Sequence, residues 1–188
     1  ARYNHETIAL AFSITEEAIE DNLYDRLAAR YTRALARSMA NTKQVKAANV
    51  LNNAQNAAFT GGDGKSLINS AHPLATGGTF SNVLSTAADL NETSLEQSLI
   101  DIQAFVDERG LKIASQGVKM IIPKELQFTA ERLMKSPQRT ATADNDINAI
   151  ASMGMVPQGY RVNNFLTDTD AFFLLTDVPN GMKMFVRS

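Results

Sequence analysis

Few residues in this chain have the type and spacing that chemistry requires. Its 188 residues include no cysteine, which removes a disulfide framework, a thiolate nucleophile, a zinc finger and an iron–sulfur site together. Two histidines occur, His5 and His72. They are far apart in the chain, and neither has the second ligand at i+3 or i+4 that a two-histidine metal site on a helix needs. His72 precedes Pro73 in Ser70-Ala71-His72-Pro73 and reads as a loop residue. The run Gly61-Gly62-Asp63-Gly64-Lys65-Ser66 ends in Gly-Lys-Ser, as a phosphate loop does. The full motif also needs an earlier glycine where Phe59 stands, and it leaves a strand to enter a helix. Here the segment leaves a helix, so its glycines are expected to cap and turn the chain.

Two carboxylate pairs remain. Glu125 and Glu131 have the residue types of a general acid and base, but they fall on a surface helix with no polar cluster beside them. They are expected to be solvated. Asp144 and Asp146 begin a calcium-loop pattern whose glycine and closing glutamate are missing, so the stretch reads as a mobile or partner-contacting loop. No Gly-x-Ser-x-Gly elbow is present. The sequence names no catalytic, cofactor-binding or metal-ligating residue, and no cofactor is expected.

The length suits one domain with a proper core, or two small ones. Hydrophobic residues make up 44% and charged residues 20%, an ordinary globular balance. No apolar run approaches the ~18–20 residues that span a bilayer, and no basic segment followed by an apolar one opens the chain. Eighteen basic and twenty acidic residues give a net charge of -2, the wrong sign for a dedicated nucleic-acid binder. Composition alone therefore points to a soluble, intracellular protein.

The elements that would position any function begin with a long helix. Ser13-Ile14-Thr15-Glu16 predicts a capping box, and Glu16, Glu17, Glu20 and Asp21 place acidic charge at the positive end of the helix dipole. Ile19, Leu23, Leu27, Tyr31, Leu35 and Met39 recur every four residues, and no proline or glycine interrupts Ile14 to Thr60. A helix over 15–58 would be roughly 65 Å long, with a break or bend expected near Asn41-Thr42. Arg26, Arg30, Arg33, Arg37, Lys43 and Lys46 place positive charge in its middle and later turns, complementing the acidic start.

Residues 69–82 read as a loop that carries a short strand or packs on a neighbour. A second capping box, Thr93-Ser94-Leu95-Glu96, opens a helix striped by Leu95, Leu99, Ile102 and Val106, widened by Phe105 and ended by Gly110. Gly117-Val118-Lys119-Met120-Ile121-Ile122-Pro123 predicts a buried strand closed by proline. A helix then runs from Lys124 to Lys135 with Leu126, Ala130, Leu133 and Met134 inward, stopping before Pro137. A polar stretch with a helical turn around Ile147 to Ile150 leads to three expected strands: Tyr160 to Asn163, Ala171 to Thr176 and Met182 to Val186. Asp168-Thr169-Asp170 and Pro179-Asn180-Gly181 are the turns between them.

This order of elements is similar to the major capsid proteins of tailed bacteriophages, the Hong Kong 97-type fold. Three stretches carry the resemblance. Thr15-Glu16-Glu17-Ala18-Ile19-Glu20-Asp21-Asn22-Leu23-Tyr24 looks like the start of the family's spine helix. Gly117 through Leu126 resembles the strand-proline-helix unit of its axial domain, and Gly159 to Asn164 through Asp177 to Val186 resembles strands returning towards its peripheral domain.

The resemblance implies an α+β fold with a long spine helix, a peripheral domain and an axial domain. It places the returning strand of an extended loop at residues 1–12, where Ile8, Leu10 and Phe12 alternate, and the spine helix and loop of the peripheral domain at 13–89. The axial domain would occupy 90–178. Residues 179–188 would start the return to the peripheral domain, with the family's last strands absent, as in the central part of a longer protein. The implied function is a major head protein that self-assembles, as pentamers and hexamers, into the icosahedral shell around phage DNA. Scaffolding, portal and decoration proteins are its implied partners, with non-specific contact to packaged DNA and none to membrane. Assembly in the bacterial host cytoplasm and residence in the virion follow. The lysine–asparagine pair that cross-links some family members is not identifiable here. Two other readings stand beside this one: an encapsulin-like nanocompartment shell protein enclosing enzyme cargo, and an α/β enzyme such as a hydrolase. The scarcity of nucleophile and histidine chemistry weighs against the enzyme.

Overall fold

The structure, a computed structural model, describes residues 6–21, 24–139, 146–179 and 181–185, with the backbone alone at 24–26. The chain forms two compact units, Ala1–Leu51 and Asn52–Ser188.

In the first unit, α1 spans Glu16–Glu20. Its N-cap is Thr15, whose side chain makes no capping hydrogen bond. The capping box expected at 13–16 is therefore not formed, and Glu16 and Glu17 favour the first turn through the dipole alone. The long helix α2 spans Tyr24–Asn52, about 43 Å at 1.5 Å per residue. It runs through Asn41-Thr42 without the break that was one expectation there. The Thr42 hydroxyl donates to the Ser38 carbonyl at 2.9 Å, so the polar side chain is satisfied inside the helix. The helix stops at Asn52 instead of reaching Ala58. Beyond it, the Asn56 amide bonds the Asn53 side chain, and Asn56 Oδ1 accepts from the Ala58 N–H. Asparagines that bond nearby groups in this way offer the backbone an alternative to helix.

Leu27, Leu35, Met39 and Val45 form a half-buried stripe on α2. An extended segment lies antiparallel along the helix, with the Phe12 ring 5.7 Å from that of Tyr31 and Glu6 Oε2 2.7 Å from Lys46 Nζ. Six extended residues and fifteen helical ones each cover roughly 20 Å, so the two contacts are in register. Residues 6–12 pair with no strand among the described residues, which corrects the strand expected there. Ile8 is half-buried, but Leu10 and Phe12 are exposed. With no strand alongside, alternation alone cannot make a ladder. Residues 1–5, His5 included, lie outside the described residues.

The second unit has its own core. After α2, β1 (His72–Pro73) and β2 (Thr79–Phe80) form a short antiparallel hairpin in the 69–82 segment, two paired strands where a loop with a short strand or a packing contact was expected. Helix α3 spans Glu92–Gln103. Its cap is Asn91, two residues before the expected Thr93: Asn91 Oδ1 accepts from Ser94 N–H and the Asn91 N–H donates to Ser94 Oγ. Asparagine is among the strongest N-cap residues, and Ser94 supplies the reciprocal bond. The helix ends before Val106, which instead bridges Lys112 across a tight turn closed by Gly110 at φ 81°. Leu95, Leu99 and Ile102 are buried as the stripe predicted.

Strand β3 (Gly117–Ile122) is central in a three-stranded sheet of order β4-β3-β5. It pairs parallel with β4 (Tyr160–Val162) and antiparallel with β5 (Phe173–Thr176). The parallel pair is joined through a 3-10 turn at Lys124–Leu126, α4 (Gln127–Lys135) and α5 (Ala149–Met153). Met120, Ile122, Leu95, Leu99, Ala130, Leu133, Ile150 and Val156 make the buried cluster. The strand expected at Met182 to Val186 is not formed among the described residues: 181–185 are irregular, and Val186 lies outside the described residues.

Candidate assembly surfaces

His72, Asp63, Ser66 and Glu131, which raised chemical possibilities, hold parts of the fold together. His72 Nδ1 lies 2.6 Å from Asp63 Oδ2, and its Nε2 lies 3.3 Å from Asn82 Oδ1. Asn82 in turn accepts from Asn69 N–H and donates to the Leu67 carbonyl, so the histidine knots the glycine turn to the β1–β2 hairpin. The hydrogen bond with His72 holds the Asp63 carboxyl below its usual range. Ser66, the last residue of the Gly-Lys-Ser run, is buried and its hydroxyl donates to the Ile68 carbonyl. Thr60 and Ser66 bridge across the glycines as a turn. His72 sits in a short ladder, where a loop position was expected.

Glu125 and Glu131 do not converge. Glu125 is exposed beside Lys124, while Glu131 bonds Lys135 at 2.8 Å and the Tyr160 hydroxyl at 2.8 Å. Those bonds, Lys135 first, hold Glu131 below the usual carboxylate range, and the same carboxylate pushes Lys135 and Tyr160 up. The trio ties α4 to β4. Its i,i+4 half was visible in the sequence, whereas Tyr160 carried no signal. Two further links escaped sequence reasoning. Arg139 Nε meets Glu92 Oε2 at 2.8 Å. In the Asp168-Thr169-Asp170 turn, the Asp170 N–H donates to Asp168 Oδ1 at 3.3 Å. Asp146 gives its backbone carbonyl to the Arg139 N–H, and Asp144 lies outside the described residues. Among the described residues no group of three or more His, Asp or Glu is placed to hold a metal ion.

Large apolar side chains stand in water instead. Phe128 on α4 is 73% exposed, Ile147 just before α5 is 73% exposed, and Met153 at the end of α5 is 69% exposed. Asn148 fastens these helices together, donating to the Leu133 carbonyl at 2.7 Å and accepting from Ala151 N–H. The turn after α3 adds Leu111 and Ile113, and the outer side of α3 adds Ile100. Isolated exposed apolar residues are ordinary, but three on one fastened helix pair offer area to a partner.

The profile of a family described as phage capsid protein matches residues 1–187. The chain belongs to that family. No curated protein and no solved structure is a match. Membership makes this capsid protein a virion component with a structural role, and a capsid family implies self-association into a shell. The mixed helix and sheet of the structure agrees with an α+β capsid chain. Among the described residues no helix is long and apolar enough to cross a membrane.

Proposed function

We propose that this capsid protein is a major head protein of the Hong Kong 97 type, assembling into the icosahedral shell that encloses phage DNA. The observation that carries the proposal is an order of elements in a phage capsid family chain. A 29-residue helix is followed by α3, then by β3 running through Pro123 into α4, and then by β4 and β5 on either side of β3. In this reading α2 is the spine of the peripheral domain, residues 90–178 form the axial domain, and residues 6–12 belong to the extended loop. Pentamers and hexamers of the chain make the shell, with scaffolding, portal and decoration proteins as further partners. In this reading the role of the chain is structural, as that of its family is, and Glu125 and Glu131 form no converging acid–base pair.

Negative-stain electron microscopy of the full chain, expressed alone and with its genomic neighbours, tests this. Closed shells, tubes or five- and six-membered rings are expected, filled with DNA in infected cells. Shells filled with protein cargo would favour the nanocompartment. Small discrete particles under every condition would remove both.

A further inference from the structure

Most of the positive charge of α2 meets no acidic partner among the described residues. Residues 26–62 contain six basic residues and no acidic one, in a chain whose net charge is -2. At about 100° per residue, Arg30, Arg33 and Arg37 fall within about 60° of one another and span roughly 10 Å along the axis. Leu35 and Met39 occupy the opposite side and are half-buried, while all three arginines are exposed. Among the described residues the ion pair made by α2 is Lys46 with Glu6, and none of the three arginines has an acidic partner. Arg33 Nε turns back to the Ala29 carbonyl, which leaves the outer edge of its guanidinium for another group. Complementing the helix dipole does not account for the charge, because no basic residue lies in the last turn of α2.

The opposite charge stands just before it. Residues 16–25 hold five acidic residues and no basic one, and Glu16, Glu17 and Glu20 are exposed without a described ion pair. Two complementary patches on one unit, neither paired among the described residues, suit a head-to-tail contact in which every copy gives one patch and receives the other. We propose that the arginine face of α2 docks the acidic 16–20 segment of a second copy of this chain, making an ion-paired contact between subunits. The proposal rests on the self-associating shell reading and names one surface that serves it.

Charge exchange tests it on the full chain, read by sedimentation velocity and negative-stain microscopy. Reversing Arg30→Glu, Arg33→Glu and Arg37→Glu together is expected to weaken association about tenfold, a few-fold for each exposed pair. Reversing Glu16→Lys, Glu17→Lys and Glu20→Lys is expected to do the same. Placing both sets in one chain is expected to restore association. Rescue excludes misfolding as the cause. Because lysine opposes the dipole at the start of α1, Glu16→Gln, Glu17→Gln and Glu20→Gln form a second set. That set is expected to abolish the loss of association that wild type shows as salt rises to ~0.5 M. Unchanged association in either reversed set, or no rescue in the combined chain, overturns the proposal and leaves the shell reading intact. Normal assembly with loss of binding to a double-stranded DNA fragment in the arginine set makes the stripe a nucleic-acid face, which also overturns it. A wild-type chain that stays monomeric in low salt defeats both.

Discussion

The two units hold their structure in different ways. The second buries a cluster that runs from Leu95 through Met120 and Ile122 to Ile150, and binds its layers with side-chain bonds such as Asn148 to Leu133. The first is a long helix and an extended segment tied by one described ring contact and one described ion pair. The difference separates two sources of order. The second unit can draw stability from apolar burial, which scales with the area removed from water. The first rests on helix propensity and exposed contacts, each worth little. A surface with few internal partners is available to external ones.

The contrast can be broken most forcefully at the core. Leu95→Ala, at a fully buried position, is expected to cost about 3 kcal/mol in urea denaturation of the full chain. A cost below ~1 kcal/mol would mean that the second unit is not held by its core. Asn148→Ala removes both the bond to Leu133 and the cap on α5, and about 2 kcal/mol should be lost. Gly117→Ala comes next: its added Cβ would sit 2.8 Å from Leu99 Cδ2, a buried side chain that must move. The expected penalty is about 1–2 kcal/mol, measured by thermal unfolding.

A pH titration sharpens the contrast inside the second unit. The Asp63 carboxyl is held below its ordinary value of 3.8 by its hydrogen bond with His72. Its contribution is therefore present above that value and is lost as pH falls through the lowered one. Amide exchange across the glycine turn should accelerate on that acid limb, and Asp63→Asn should flatten the limb while leaving the core amides unaffected. The smallest effect is reserved for the first unit. Leu35→Ala on half-buried α2 is expected to shift stability by no more than ~1 kcal/mol, against about 3 for the same truncation at Leu95. Equal costs at the two sites would erase the distinction.

Sequence periodicity resolved what depends on local spacing. The stripe Leu95-Leu99-Ile102, the strand ending at Pro123 and the inward Ala130 and Leu133 of α4 all stand where they were expected. It failed where a longer-range competitor decides. Asn91 took the cap from Thr93 because it was the stronger cap at the right offset from Ser94. The strands expected at 1–12 and 182–186 had the right alternation but no neighbour among the described residues, and a strand exists only as part of a pair. The His72–Asp63–Asn82 knot was illegible for another reason: residues 9 and 10 positions apart meet only where the glycine turn and the hairpin bring them together. The charge imbalance of α2 was plain in the sequence. That Lys46 alone finds an acidic partner, Glu6, among the described residues needed the structure.

The sheet of the second unit has a further consequence. Both of its outer strands are short, three residues in β4 and four in β5. An outer strand with free N–H and C=O groups invites other chains to add on by backbone pairing, and the reward grows with every residue paired. Ladders this short give a newcomer little to hold. Such a chain can accumulate to the high local concentrations that building a virion demands without seeding fibres, leaving side-chain surfaces to decide which neighbour it keeps.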